Sequence, residues 1–239
     1  MDSQLNIVGL ARVKNEARWI RRMVTSMLAC CKEVVVMDDH SDDATAAEAV
    51  AAGAYVIASP YDTFNEARDK QWLYDFVIST CSPGWCLMLD GDEELGPGAA
   101  EAIEAVVRTQ GTIESYRVSF TYLWNNEQTK RVDRWYGAPF TRASLWRCAP
   151  GQRFCAGNSA SLHCGSTPAG LREHALPIAD VLHYGYMHAA DRIRKYEYYN
   201  RIDPNNEFED CYRHMVIGDI LPASYAGKWA GPLKLEPVK

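Results

Sequence analysis

The chain lacks a CxxC pair. Its eight cysteines, at 30, 31, 81, 86, 148, 155, 164 and 211, match neither the paired ligands of a structural zinc site nor a secreted disulfide framework. Several sit inside apolar runs, so reduced, buried thiols in a cytoplasmic protein are the expectation. No window approaches eighteen consecutive apolar residues, and no bilayer span is predicted. The first six residues carry neither a basic region nor an apolar run, so no secretory leader is predicted either. Both glycine-rich phosphate loops, GxGxxG and GxxxxGK[ST], are missing, which removes the usual metal-free cradles for a diphosphate. Positive charge is also short: 25 Lys and Arg stand against 31 Asp and Glu, a net −6. That balance argues against a nucleic-acid partner bound by bulk electrostatics. Neither an internal repeat nor a low-complexity segment interrupts the chain.

What is present, over 239 residues, is enough apolar material for one large core. Apolar runs at 7–11, 34–37 and 55–58 read as strands, and the run at 85–89 as a strand buried on both faces, the centre of a parallel sheet. Helical periodicity lies between them. Ile20, Met23, Val24, Met27 and Leu28 share one face, an alanine-rich segment at 45–52 closes at Gly53, and 65–80 carries Leu73, Phe76, Val77 and Thr80. Asn15 is placed to cap the first of these helices. A further helix, opened by Pro97 and Gly98, shows Ala99, Ile103, Val106 and Val107. Strands alternating with helices predict an α/β fold with a mostly parallel sheet flanked by helices. The second half is less regular. A half-exposed strand is predicted at 115–123, a loop-like stretch at 124–177, a short strand at 181–184, a helix at 191–202, and a poorly specified tail beyond.

The charged residues gather at strand ends, which a parallel sheet brings to one edge. Arg12, Lys14 and Glu16 follow the first strand, Asp38, Asp39 and Asp43 the second, and Asp90 and Asp92 the fourth. Asp90 and Asp92 lie two apart, so an extended backbone points them to one side, with Gly91 letting the chain bend between them. Such carboxylates suit a hard divalent cation that also takes phosphate oxygens. The competing readings are an acidic helix start at 90–94 and, for Asp38 and Asp39, a solvated turn with an aspartate cap.

Four segments in order carry a resemblance: Ala11-Arg12-Val13-Lys14-Asn15-Glu16, Val36-Met37-Asp38-Asp39-His40-Ser41-Asp42-Asp43, Asn65-Glu66-Ala67-Arg68-Asp69 and Leu89-Asp90-Gly91-Asp92-Glu93. Together they resemble the family 2 glycosyltransferases with the GT-A fold, closely over about 5–95 and weakly to about 200. The resemblance implies an inverting, metal-dependent transfer of a sugar from a nucleotide-sugar donor. The acceptor would be a saccharide, lipid-linked or other hydroxyl, in cell-surface polysaccharide or glycoconjugate synthesis. Asp39 or its neighbour Asp38 would bind the donor base, with Arg12, Asn15 and Glu16 lining the same donor site. Arg68 would approach the ribose or diphosphate. Asp90 would serve the ribose and the metal, and Asp92 the metal, Mn²⁺ or Mg²⁺. His183 is similar to a late histidine that completes the metal site in some GT-A enzymes. One departure stands out: Asp69 follows Arg68 where the family usually has Asn.

The division implied is a single catalytic domain at 1–204, with a donor half at 5–112, an acceptor half at 113–204 and a C-terminal extension at 205–239. The ED and QxxRW pair of processive synthases is missing, so the catalytic base is sought among Asp133, Glu173 and Asp180. Each also reads as a surface carboxylate paired with a neighbouring Arg or His. The stretch 158–165, with His163, is a candidate for the acceptor side, and Tyr122, Trp124, Trp135, Tyr136 and Trp146 form either a sugar-stacking platform or an aromatic core. Two rivals remain. A nucleotidyltransferase would need a glycine-rich basic loop after the first strand, and a silent sugar- or nucleotide-binding module would keep the donor half without a base.

Overall fold

The computed structural model describes residues 5–109, 111–137, 140–157, 162–204, 210–227 and 231–238. The first half alternates as its hydrophobic pattern demands: β1 (Ile7–Val13), α1 (Ile20–Leu28), β2 (Glu33–Asp38), α2 (Thr45–Ala51), β3 (Tyr55–Ala58), α3 (Glu66–Cys81) and β4 (Trp85–Met88). β5 (Glu93–Leu95) and α4 (Ala99–Arg108) follow. Then come β6 (Ser115–Trp124), β7 (Asn126–Arg131), α5 (Arg134–Gly137), β8 (Thr141–Arg147), β9 (Glu173–His183) and α6 (Ala189–Ile202). A 3₁₀ segment (Asp210–Val216) and β10 (Leu235–Pro237) complete the described elements. Among the described residues no helix is long and apolar enough to cross a membrane.

The chain forms two compact units, Met1–Ser119 with Thr141–Val181, and Phe120–Phe140 with Leu182–Lys239. In the first, β3, β2, β1 and β4 run parallel and adjacent. β8 joins β4 antiparallel, and the start of β6 joins β8 in the same sense. Strands β1, β2 and β4 are buried on both faces, because helices cover them. α1 sinks Ile20, Met23, Val24 and Met27, an i, i+3, i+4, i+7 stripe. α3 sinks Leu73, Tyr74 and Val77 against Val8, Leu10, Val35, Met37, Cys86 and Met88; each large apolar side chain so buried contributes about 2 kcal/mol. This parallel core with an antiparallel flank is the GT-A-like α/β arrangement the resemblance implies. In the second unit β7 pairs with the Leu123 end of β6 on one side and with β10 on the other.

Several expectations are corrected. The loop-like stretch at 124–177 holds β7, α5, β8 and the start of β9. β7, Asn-Glu-Gln-Thr-Lys-Arg, is mostly exposed and has no apolar alternation, so backbone pairing with its two neighbours makes it a strand. β8 offers only four buried residues between arginines, yet it fills the slot between β4 and β6. β9 runs eleven residues through Pro177, where the short strand at 181–184 is only its end. The tail contributes β10. Glu93–Leu95 is a strand, not a helix start. Asn15 does not cap α1: its backbone is left-handed at φ 56°, whereas an N-cap needs extended φ and ψ, and α1 begins after Trp19 with no side-chain cap. Gly53 closes α2 as expected, taking φ 101° just past it. A cap that no expectation covered starts α3, where Asn65 accepts the Arg68 N–H.

Candidate functional site

Four bonds lace the loop after β1 to the loop after β2. The Asn15 N–H donates to Ser41 Oγ at 2.9 Å, and the Asp42 N–H to Asn15 Oδ1 at 3.0 Å. Glu16 N–H donates to Thr45 Oγ1 at 2.8 Å and Ala17 N–H to Asp43 Oδ2 at 3.2 Å. Asn15 is thus a clasp between strand ends. Asp38 is spent locally, accepting the Ser41 hydroxyl at 2.5 Å and the Ser41 N–H at 3.2 Å. Asp43 also accepts the Thr45 N–H at 2.9 Å. Burial raises its pKa, but the Thr45 and Ala17 bonds outweigh that and hold it below the ordinary value. A lowered carboxyl stabilises the fold above its unfolded pKa and loses that contribution as pH falls through its folded one. Asp43→Ala is therefore expected to cost at most about 1 kcal/mol at pH 7, and the gap in thermal melts should shrink below about pH 4.

Inside this rim lies an alternating charge network. Arg12 Nη2 donates to Asp39 Oδ2 at 2.5 Å, and Arg12 Nε to Asp69 Oδ2 at 3.0 Å. The other Asp69 oxygen takes Arg68 Nε at 2.9 Å and Nη2 at 2.7 Å. Asp69 is fully buried, at 0% exposure, so it is the hub that aims both guanidiniums. Each guanidinium also lies over a ring: Arg12 Cζ is 4.6 Å from the Phe64 centroid, and Arg68 Cζ 3.8 Å from that of Tyr61. Lys14 Nζ closes the rim on the Asp39 carbonyl at 3.0 Å.

The second cluster ends β4. The Asp90 N–H donates to Glu93 Oε2 at 2.8 Å and the Glu93 N–H returns to the Asp90 carbonyl at 3.1 Å, folding the four-residue segment into a closed turn. The chain does turn at Gly91, but without a positive φ. The glycine is needed for space: a Cβ would lie 2.9 Å from Glu16 Cγ and 3.0 Å from Val13 Cγ1. Glu16 thus packs on the acidic turn. Asp92 is 4% exposed and Glu93 2%, and burial pushes Glu93 up to about 8, with Arg142 pulling down and Asp90 and Asp92 adding to the rise. Arg142 reaches Asp90 Oδ2 at 2.9 Å and Glu93 Oε2 at 2.6 Å. Arg142 sits in no sequence motif. Strand register is the signal that finds it: β4 and β8 pair Trp85 with Arg147, Cys86 with Trp146 and Leu87 with Leu145. Carried three positions on, that register sets Arg142 opposite Asp90.

Residues 12–166 match the family model for glycosyl transferase family 2, well over half the chain. The chain belongs to glycosyl transferase family 2. Among its relatives, an uncharacterized protein of Mycobacterium tuberculosis is 26% identical over an alignment of 257 positions, covering 98% of this chain and 62% of the relative. An uncharacterized glycosyltransferase of Rickettsia felis is 31% identical over 133, covering 55% and 44%. This chain therefore spans less than two thirds of either relative's length. A solved structure of glucosyl-3-phosphoglycerate synthase from Mycobacterium tuberculosis, with Mn²⁺, uridine-diphosphate and phosphoglyceric acid, aligns at TM-score 0.39 and 20% identity. That alignment covers 49% of this chain and 43% of that one.

The remaining residues singled out from the sequence sit on later elements of the chain. Asp180, on β9 in the first unit, accepts the Ser119 hydroxyl at 3.0 Å, and its carbonyl takes the Gly96 N–H at 2.9 Å. Glu173, at the other end of β9, is ion-paired with Arg117. In the second unit Asp133 is buried: one oxygen takes Arg131 Nε at 2.7 Å, the other Arg131 Nη2 at 3.1 Å and the Gly231 N–H at 3.1 Å. Both oxygens hold the fold together. His183, also in that unit, ends β9 among the rings of Tyr122 and Tyr186, with Nδ1 3.2 Å from the Gly185 N–H. Tyr122, Trp124, Tyr136 and Trp146 are buried, which makes them core rather than platform; the Trp135 side chain lies outside the described residues, as do 158–161. His163 is exposed with φ 60°. Cys164 is pushed up to about 11 by burial and is a poor nucleophile. Cys155 is exposed, against the expectation of buried thiols.

Proposed function

We propose that this domain binds a nucleoside-diphosphate sugar and transfers the sugar, with inversion, to an acceptor hydroxyl. The observation that carries the reading is the adjacency of β2, β1 and β4. It brings the Asp39–Arg12–Asp69–Arg68 network and the Asp90–Asp92 turn to one edge of the first unit, where open α/β sheets take ligands. Asp39 accepts from the donor base, held in place by Arg12. Arg68 offers a planar fork to ribose or phosphate oxygens. The acidic turn fits a divalent ion, since carboxylate oxygens at the end of a buried strand suit hard Mn²⁺ or Mg²⁺. Asp92, with Asp90 beside it, is the ligand we assign. When bound, the ion supplies positive charge against the leaving diphosphate.

For the base we assign Asp180, whose backbone carbonyl takes the Gly96 N–H at 2.9 Å just past the acidic turn, in the same unit. Asp180 takes the proton from the acceptor hydroxyl as that oxygen attacks the anomeric carbon and the bond to the diphosphate breaks. A saccharide or lipid-linked acceptor in cell-surface glycoconjugate synthesis accords with this chemistry. The test is calorimetric titration with UDP, GDP, CDP and dTDP, with and without Mn²⁺. Metal-dependent binding of one of them is expected and names the base; no binding under either condition overturns the reading. Turnover of the matching nucleotide sugar then separates an enzyme from a silent binding module.

A further inference from the structure

Arg142 touches two carboxylates with very different needs. Glu93, 2% exposed, requires a cationic or hydrogen-bonded partner wherever it is ionised. Asp90 has a side chain 45% exposed and requires none, because an exposed ion pair contributes little to stability. A purely structural arginine would be satisfied by Glu93. Yet the second arm of the fork reaches Asp90 at 2.9 Å while the first holds Glu93 at 2.6 Å. Glu93 Oε2 in turn takes the Asp90 N–H at 2.8 Å, so guanidinium, glutamate and the Asp90 backbone and side chain close one ring.

We propose that Arg142 is a positioning residue for the donor site, an inference that rests on the reading above. It fixes the rotamer of Asp90 and offsets the repulsion among Asp90, Asp92 and Glu93. One guanidinium against Asp90 and Asp92 still leaves the cluster anionic even where Glu93 is protonated, as a divalent cation requires. Lysine cannot replace it, because an ammonium is a single point charge on a flexible stem and cannot span both acceptors with fixed geometry.

The test uses Arg142→Lys and the double variant Arg142→Gln with Glu93→Gln, which removes the buried charge together with its partner. Thermal melting is read alongside calorimetric titration with Mn²⁺ alone, then with whichever of UDP, GDP, CDP and dTDP the wild type takes up. We expect at least one variant to melt within a few degrees of wild type while binding Mn²⁺ and the diphosphate at least about tenfold more weakly. Folded variants that bind both as wild type does would overturn the proposal, and unfolding of both would assign Arg142 to the core and overturn it too. If the wild type takes up neither Mn²⁺ nor any diphosphate, the donor-site reading itself falls; if it binds and the folded variants match it, only the role of Arg142 does.

Discussion

Asp69→Ala is expected to destabilise the protein by about 3 kcal/mol, because it removes a buried carboxylate shared by two guanidiniums and leaves Arg12 Nε, in a largely buried site, without its partner while Nη2 keeps only Asp39. The Asp69 side chain is fully buried, and Arg12 is 11% exposed against 33% for Arg68. Arg68 can turn to water when its partner is lost, and Arg12 has far less room to do so. For a chain of this size the loss corresponds to a fall in melting temperature of about 10 °C. The functional loss should exceed the structural one. Asp69 aims both guanidiniums, so without it Arg12 no longer holds Asp39 and Arg68 no longer presents its fork. Asp69→Asn separates charge from shape: an amide oxygen still accepts one arginine, but the other loses its charged partner. Its melting temperature should therefore fall by roughly half as much, at about 1–1.5 kcal/mol. Thermal melts of the two variants, paired with nucleoside-diphosphate titration, check both numbers. If Asp69→Ala melts as wild type does, the network is a surface ornament and Asp69 is no hub.

This residue also shows what could and could not be read from the chain alone. The parallel core was legible because its strands are short, largely apolar runs and α1 keeps a clear 3.6-residue stripe. Asp69 was visible as a departure from the family pattern, but its role depends on Arg12, 57 residues away. No local rule supplies that partner. Arg142 was invisible for a related reason. Its strand shows only four buried residues between two arginines, and only β8 pairing with β4 places it opposite Asp90. β7 hid behind a wholly polar sequence, since an edge-like strand needs backbone partners and no apolar face. Asn15 misled because a cap residue and a loop clasp share one composition; only the left-handed φ tells them apart. Asp133 was ambiguous from sequence, and its burial with Arg131 settles where its oxygens go.

Asp92→Ala should produce the largest functional loss of any single change in the acidic turn. Removing a direct carboxylate ligand should cost more than the 10- to 100-fold that loss of a supporting partner does, so metal-dependent diphosphate binding is expected to drop at least about 100-fold. Stability should barely move. Asp92 is 4% exposed and contributes to the repulsion that raises Glu93, so in metal-free buffer relief of that repulsion should offset the lost packing and the variant should melt within a few degrees of wild type. The check is a pair of melts, with and without Mn²⁺. Wild type should gain stability with the ion by mass action, and Asp92→Ala should gain none. Asp92→Asn sharpens the result, since an amide oxygen matches the shape but carries no charge, and its Mn²⁺ response should be weak. Equal Mn²⁺ stabilisation in wild type and Asp92→Ala would remove Asp92 from the metal site and send the search to Asp90.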